Sequence, residues 1–217
     1  MYISARKITA ADGRMADATA FAAMVTERMN EKFGTTLGLG TEIGGDPNAI
    51  WLNGRWESLG EYQAFMEGFF ADQQFVTATS ITDSVAAISS DQIARVHRAP
   101  GDRDAFAGVS TGRILAGNFV GAMSFITEIA ELATEITGRE AGVMLPVTGD
   151  RYEAKFVQFG SSLQELQELD EKLFANEDYL ALFARSSEYM EPQFDSCLLY
   201  TSPSPRDLST SRMPSSA

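Results

Sequence analysis

Two stretches of this 217-residue chain read as the same unit, displaced by 104 positions without a gap. Phe21 falls on Phe125, Glu27 on Glu131, Glu31 on Glu135 and Gly34 on Gly138. Later in each unit Ser58 falls on Ser162, Leu59 on Leu163, Glu61 on Glu165, Gln63 on Gln167, Phe70 on Phe174 and Ala71 on Ala175. A period of that length is a small domain set twice in one chain, because solenoid repeats span only a few dozen residues.

Within the first unit, Tyr2 to Ile8 is short and β-prone. Arg14 to Phe33 carries apolar residues at Phe21, Met24, Val25, Met29 and Phe33, a helical spacing, and Gly34 follows where a C-cap glycine belongs. Thr35 to Ile43 alternates, with Leu37, Leu39, Thr41 and Ile43 on one face. A turn at residues 44–48 leads to a strand over Ala49 to Trp56. Ser58 and Glu61 form a capping box for a helix that runs through Tyr62, Phe65, Met66, Phe69, Phe70 and Phe75. Ser80 to Ser90 suggests a short helix, and Gln92 to Arg98 the last strand. The order is βαββαβ, the ferredoxin-like unit. The second unit repeats it, with strands at Phe106 to Leu115, Ala141 to Val147 and Tyr152 to Phe159. Its helices are at Val120 to Thr137 and from Ser162 to about Arg185. The boundaries expected are 1–100 for unit one and 104–196 for unit two.

Residues 197–217 do not belong to that pattern. Cys197 to Asp207 and Ser211 to Ala217 each resemble, in one reading frame, the translated adapter of transposase-based sequencing libraries, with Leu208 to Thr210 where a sample index would sit. The expectation is therefore a non-native tail, excluded from fold reasoning. Shifting Ile93 to His97 by the repeat distance lands on 197–201, so the last strand of unit two is expected to be missing.

The net charge of −13 becomes one unit more negative without the tail's Arg206, Asp207 and Arg212. Nucleic acid and anionic membranes attract basic surfaces, so neither is an expected partner. The single cysteine, Cys197, lies in the tail, which removes disulfides and thiolate metal sites. No apolar run approaches the roughly 20 residues of a membrane span, and no basic-then-apolar leader is present. A cytoplasmic location is the default expectation.

The capping serine, the amphipathic helix after it, and an acidic or amide residue before an aromatic recur in both units (Ala71-Asp72-Gln73-Gln74-Phe75 and Ala175-Asn176-Glu177-Asp178-Tyr179). This pattern resembles the dimeric α/β-barrel superfamily, close to NIPSNAP-type and antibiotic-biosynthesis-monooxygenase-type proteins. The resemblance implies an α+β fold of two tandem ferredoxin-like units whose sheets face each other as a pseudo-dimeric barrel. The chain would be a monomeric pseudo-dimer or a homodimer. Fold of this kind does not carry function.

Alternation along the strands then sorts candidate site residues. Ile3 and Ala5 suit the helix face, leaving Tyr2, Ser4 and Arg6 for the barrel interior. Ile50 and Leu52 suit the helices, leaving Trp51, Asn53 and Arg55. Ala94 and Val96 do likewise, leaving Ile93, Arg95 and His97. At the shifted positions, unit two offers Phe106, Gly108, Ser110, Lys155, Val157 and Phe159, a more apolar set. His97, the only histidine, is the candidate proton acceptor. The resemblance to cofactor-independent monooxygenases implies that Asn53 with Trp51 would position a substrate. Arg6, Arg55 and Arg95 are candidate anion clamps, and Tyr2 completes the ligand-binding set. The paired Glu27/Glu31 and Glu131/Glu135 lack histidine and suit a solvated face better than a metal. The glycines at 38, 40, 44 and 45 are not a phosphate loop. No cofactor and no metal is expected.

Three functions fit these residues. The first is a barrel protein binding a small apolar or aromatic molecule between its sheets. The second is a cofactor-independent monooxygenase or isomerase acting on such a molecule. The third is a structural or interaction domain with a filled interior. The sequence leaves open whether the chain is an enzyme.

Overall fold

Glycine ends the first long helix of each unit. In the computed structural model, which describes residues 1–80 and 85–201, α1 (Met15–Phe33) stops at Gly34, whose φ of 65° lets its N–H reach the Asn30 carbonyl. The α4 helix (Phe119–Thr137) stops in the same way at Gly138, φ 72°, bonded to Thr134. Only glycine adopts this left-handed cap without strain.

The second helix of each unit begins on serine. Ser58 Oγ accepts from the Glu61 N–H at 3.1 Å and opens α2 (Leu59–Ala71). Ser162 Oγ accepts from Glu165 at 3.0 Å and opens α5 (Leu163–Phe174). The return arm of the expected capping box goes one residue further back than the cap. Glu61 accepts from the Glu57 N–H, and Glu165 from both the N–H and the hydroxyl of Ser161.

The helix expected to run on through Phe75 is two helices. Asp72 adopts an extended backbone, and its carboxylate accepts from the N–H groups of Gln74 and Phe75. It thus ends α2 and starts α3 (Gln73–Ser80). Asn176 does the same for α6 (Glu177–Ala184), accepting from Tyr179 at 2.9 Å. The acidic-or-amide residue of the sequence motif is a cap between helices.

The strands are β1 (Tyr2–Ala10), β2 (Gly38–Ile43), β3 (Ala49–Trp56) and β4 (Ala86–Arg98). They are followed by β5 (Phe106–Ile114), β6 (Ala141–Pro146), β7 (Glu153–Gly160) and β8 (Met190–Tyr200). The fold is α+β, and β1, α1, β3 and α3 recur as β5, α4, β7 and α6 at the same 104-residue offset. The chain divides into two compact units. One comprises Met1–Glu42 and Asp46–Asp91, the other Ile43–Gly45 and Gln92–Tyr200. The strand β4 therefore starts in unit one and ends in unit two. The short helix expected within Ser80 to Ser90 falls partly on residues 81–84, outside the described residues.

In unit one β3 pairs antiparallel with β1, Tyr2 opposite Trp56 and Ile8 opposite Ile50, and with β2 on its other edge. In unit two β5 lies between β7 and β8, β7 pairs with β6, and the second half of β4 pairs with β6. The connecting segment packs closely here: a Cβ on Gly142 of β6 would stand 2.4 Å from Pro100.

One expectation is overturned: unit two has its closing strand. Like β4, β8 starts early, at Met190, seven residues before the position where it was expected to begin. Met190 and Phe194 bring large side chains over Gly112 of β5. Cys197 to Tyr200, β-prone whatever their origin, continue the ladder to Phe106.

The cores of the two units differ. Unit two has one continuous cluster, including Ile114, Ile126, Val143 and Met190, with Phe156 and Phe194 packed against it. Unit one has two. Ala10, Ala18, Ala22, Leu39, Ile50 and Ala86 form one; Val25, Met29, Leu37, Trp56, Phe69 and Phe75 form the other.

Two predictions follow from this packing. Ending the chain after Ser196 keeps Met190 and Phe194 and should leave a folded protein, whereas Phe194→Ala should cost about 3 kcal/mol; urea unfolding of both variants compares them. Glu165 is held well below the ordinary carboxylate range, from 4.5 to about 2, by the Ser161 hydroxyl and N–H and by Arg139. Its contribution is therefore present above the unfolded value and is lost as pH falls from about 4.5 toward 2. Melting curves from pH 7 to pH 3 should show Glu165→Gln less stable at neutral pH, with the gap to the parent closing on acidification.

Candidate functional site

The space that divides the core of unit one is a cavity of about 120 Å³. Its floor is the helix-facing side of the sheet: Ser4, Arg6 and Ile8 of β1, Leu39 of β2 and Leu52 of β3. Its walls are α1 (Ala18, Ala22, Val25, Met29) and α2 (Tyr62, Phe65, Met66, Phe69), with Val85–Ile88 along a third side. Small side chains open it. Ala22 and Ala86 stand where the repeat places Ile126 and Met190 in unit two. Both of those are buried in the continuous core there.

Apart from the buried Thr26 of α1, the lining is apolar except at one end. There the Arg6 guanidinium donates to the Asp91 carboxylate at 2.5 Å. Both side chains are partly open to solvent, 25% for Arg6 and 41% for Asp91. Tyr62 belongs to the same end. Burial and the charge of Asp91 push its phenol up, against a smaller opposing effect of Arg6, so it stays a neutral hydroxyl. Beside it Trp56 is edge-on to Tyr62, with centroids 5.3 Å apart, and donates its indole N–H to the buried Ser4 Oγ at 2.9 Å.

The structure corrects the face assigned to two strands. Directly opposed residues in a ladder share a face. Tyr2 lies opposite Trp56, Ser4 opposite Gly54 and Arg6 opposite Leu52, so all three point toward the helices. Tyr2 packs on the aromatic cluster and Arg6 lines the cavity. In β4 Arg95 lies opposite Leu145, which packs on the unit-two core, and His97 Nε2 lies 3.1 Å from Thr127 Oγ1 on α4. Both residues are exposed on the helix side of unit two. A register shift between Val96 and Arg98 interrupts the alternation only after Val96, at His97. In unit two Phe106, Gly108 and Ser110, opposite Gly160, Gln158 and Phe156, take the same face as their counterparts in β1.

The third strand is as expected: Trp51, Asn53 and Arg55 point away from α1. Trp51 Nε1 donates to Glu42 Oε1 at 2.8 Å, and Lys7 Nζ sits 5.8 Å from the Trp51 ring centroid. Lys7 also lies 3.4 Å from Glu42 and 3.1 Å from Asp46. Burial opposes its charge, but Asp46 and Glu42 outweigh it and raise the ammonium above its usual range. Asn53 lies opposite Ala5 and Gly38, and Arg55 is exposed opposite Ile3. Of the seven residues proposed from sequence, Arg6 alone lines the cavity.

No family model and no curated protein matches the sequence. Solved structures do match the fold. A candidate monooxygenase from Fusobacterium nucleatum superposes with a TM-score of 0.66 at 8% identity, covering 92% of this chain and 91% of that one. Another from Lactobacillus acidophilus gives 0.63 at 10% identity, covering 92% and 93%. A NIPSNAP domain protein from Burkholderia xenovorans matches over 43% of this chain and 90% of its own, at 18% identity and a TM-score of 0.37. The fold is that of the ferredoxin-like, dimeric α/β-barrel proteins. At these identities the likeness is one of fold.

Within this α/β-barrel-type chain, two residues of the polar end escaped the sequence reading. Tyr62 looked like one more apolar helix position, although the repeat sets it against Leu166, a polar-for-apolar exchange at a core site. Asp91 fell in a segment whose strand begins earlier than expected. Among the described residues no group of three His, Cys, Asp or Glu side chains is placed to hold a metal, and no helix is long and apolar enough to cross a membrane.

The Ser4–Trp56 bond fixes the floor of the cavity. Ser4→Ala leaves a buried indole N–H without an acceptor and should cost about 2 kcal/mol, read as a lower urea midpoint with an unchanged slope.

Proposed function

We propose that this protein binds a small, largely apolar molecule in the cavity of unit one. The observation that carries the reading is the division of the unit-one core around a space that ends on Arg6, Asp91 and Tyr62. Close-packed cores keep few voids of this size. Apolar walls with a few convergent polar groups are the usual composition of a ligand site. An engineered apolar cavity of about 150 Å³ takes up benzene, so about 120 Å³ suits a single ring. The repeated elements are what a duplicated unit would produce, and on this reading the first copy became the binding one while the second stayed closed.

The alternative is an oxygenase or isomerase acting on such a molecule. What favours it is that two proteins of this fold are named as candidate monooxygenases. Neither Asn53 nor His97 lines the cavity, so a catalytic use of that pair would involve a different surface. A domain without a ligand is the third reading, and the divided core argues against it.

Phenol at a saturating concentration should raise the melting temperature by several degrees, because a ligand that binds only the native state stabilises it by mass action. Ala22→Ile with Ala86→Met copies the filling of unit two and should abolish that rise, while Asn53→Ala and His97→Ala leave it intact. An undiminished rise in the filled variant would refute the cavity as the site. Oxygen uptake in the presence of phenol, measured in parallel, tests the alternative, which fails if no uptake depends on the protein.

A further inference from the structure

The Arg6–Asp91 pair determines which molecules the cavity can accept, an inference that rests on the binding reading above. Arg6 by itself would draw a carboxylate. Its charge is already met by Asp91 at 2.5 Å, on the same side of the cavity. An anionic ligand entering there would have to displace Asp91 or meet its like charge at close range, and both are costly. The pair is not inert toward hydrogen bonding, however. Arg6 carries five N–H donors in a planar fork, and Asp91 offers two acceptor oxygens. One bond between them leaves capacity on each side, and the hydroxyl of Tyr62 lies at the same end as both donor and acceptor.

A neutral hydroxyl suits that arrangement. Its proton is donated to the Asp91 carboxylate, while its oxygen accepts from Arg6 or Tyr62. The ring then lies among Val25, Leu52, Phe65 and Phe69. We infer that the cavity selects a neutral, single-ring molecule bearing a hydroxyl group and refuses the corresponding carboxylate, with Asp91 as the residue that sets this choice. Asp91 is a specificity residue here and takes no part in any reaction.

The test is calorimetric titration of the full chain with phenol, benzene, benzoate and benzylammonium. The parent protein should bind phenol about tenfold more tightly than benzene, the worth of one bond to a charged group, and should bind benzoate more weakly than either. Asp91→Asn keeps the shape and removes the charge, so benzoate should become the preferred ligand. Arg6→Gln is the reciprocal variant and should bring in benzylammonium. Circular dichroism checks that both variants are folded, and either reversal supports the inference. Benzene binding as tightly as phenol, with benzoate unaffected by Asp91→Asn and benzylammonium unaffected by Arg6→Gln, overturns it and leaves the apolar cavity reading standing. If none of the four binds the parent protein, the binding reading falls as well.

Discussion

The pairing of β1 with β3 decides what the rest of unit one becomes. Eight opposed residue pairs, from Tyr2 with Trp56 to Thr9 with Ala49, fix which side chains of β1 turn toward the helices. A slip by one residue would exchange the two faces. Ile3, Ala5 and Lys7 would then lie under α1, and Arg6 would leave the cavity. The strands carry little of their own instruction, because both faces of β1 mix apolar and polar residues. The instruction comes from β3, where Ile50, Leu52, Gly54 and Trp56 form the face that packs under the helices. Ser4 fits that face because Gly54 leaves space beside it and Trp56 supplies a hydrogen bond. Arg6 fits because Asp91 meets its charge.

The architecture was legible in the sequence for reasons that are local. Capping serines, terminal glycines and helical spacing act over a few residues and recur in both units, so each copy checked the other. The limits of β3 came out as expected, as did the glycine stops after α1 and α4. What was misread depends on distant partners. Whether Arg95 turns to the helix side is decided by its partner Leu145 of β6, about fifty residues away, which no local pattern announces. The start of β4 at Ala86 was missed because Ala-Ala-Ile-Ser-Ser lacks clear alternation; its partner β1 supplies what the sequence does not, through Ser89, which accepts from the Thr9 hydroxyl and donates to the Lys7 carbonyl.

The candidate site was half legible. The cavity lies in the unit where the sequence concentrates cationic and aromatic residues, and of those proposed Arg6 alone lines it. The cavity itself follows from a comparison that alternation cannot make, namely the size of side chains at equivalent buried positions. Ala22 against Ile126 and Ala86 against Met190 were visible in the aligned copies, but their meaning depends on knowing that all four are buried. Methionines at 29 and 66 in the lining add flexible side chains, which let such a wall repack.

The connecting segment carries a consequence for what counts as a unit. Pro100 rests on Gly142, and the second half of β4 is paired with β6. Arg98 adds an ion pair to Glu140 at 2.8 Å. The stretch that repeats in the sequence starts near residue 104, but the stretch that packs together starts near Gln92. A gene fragment cut at the repeat boundary would expose one edge of β6 and uncover Gly142. The portion that recurs and the portion that holds itself together are thus different pieces of the same chain, offset by about a dozen residues, the length of a strand with its exit turn.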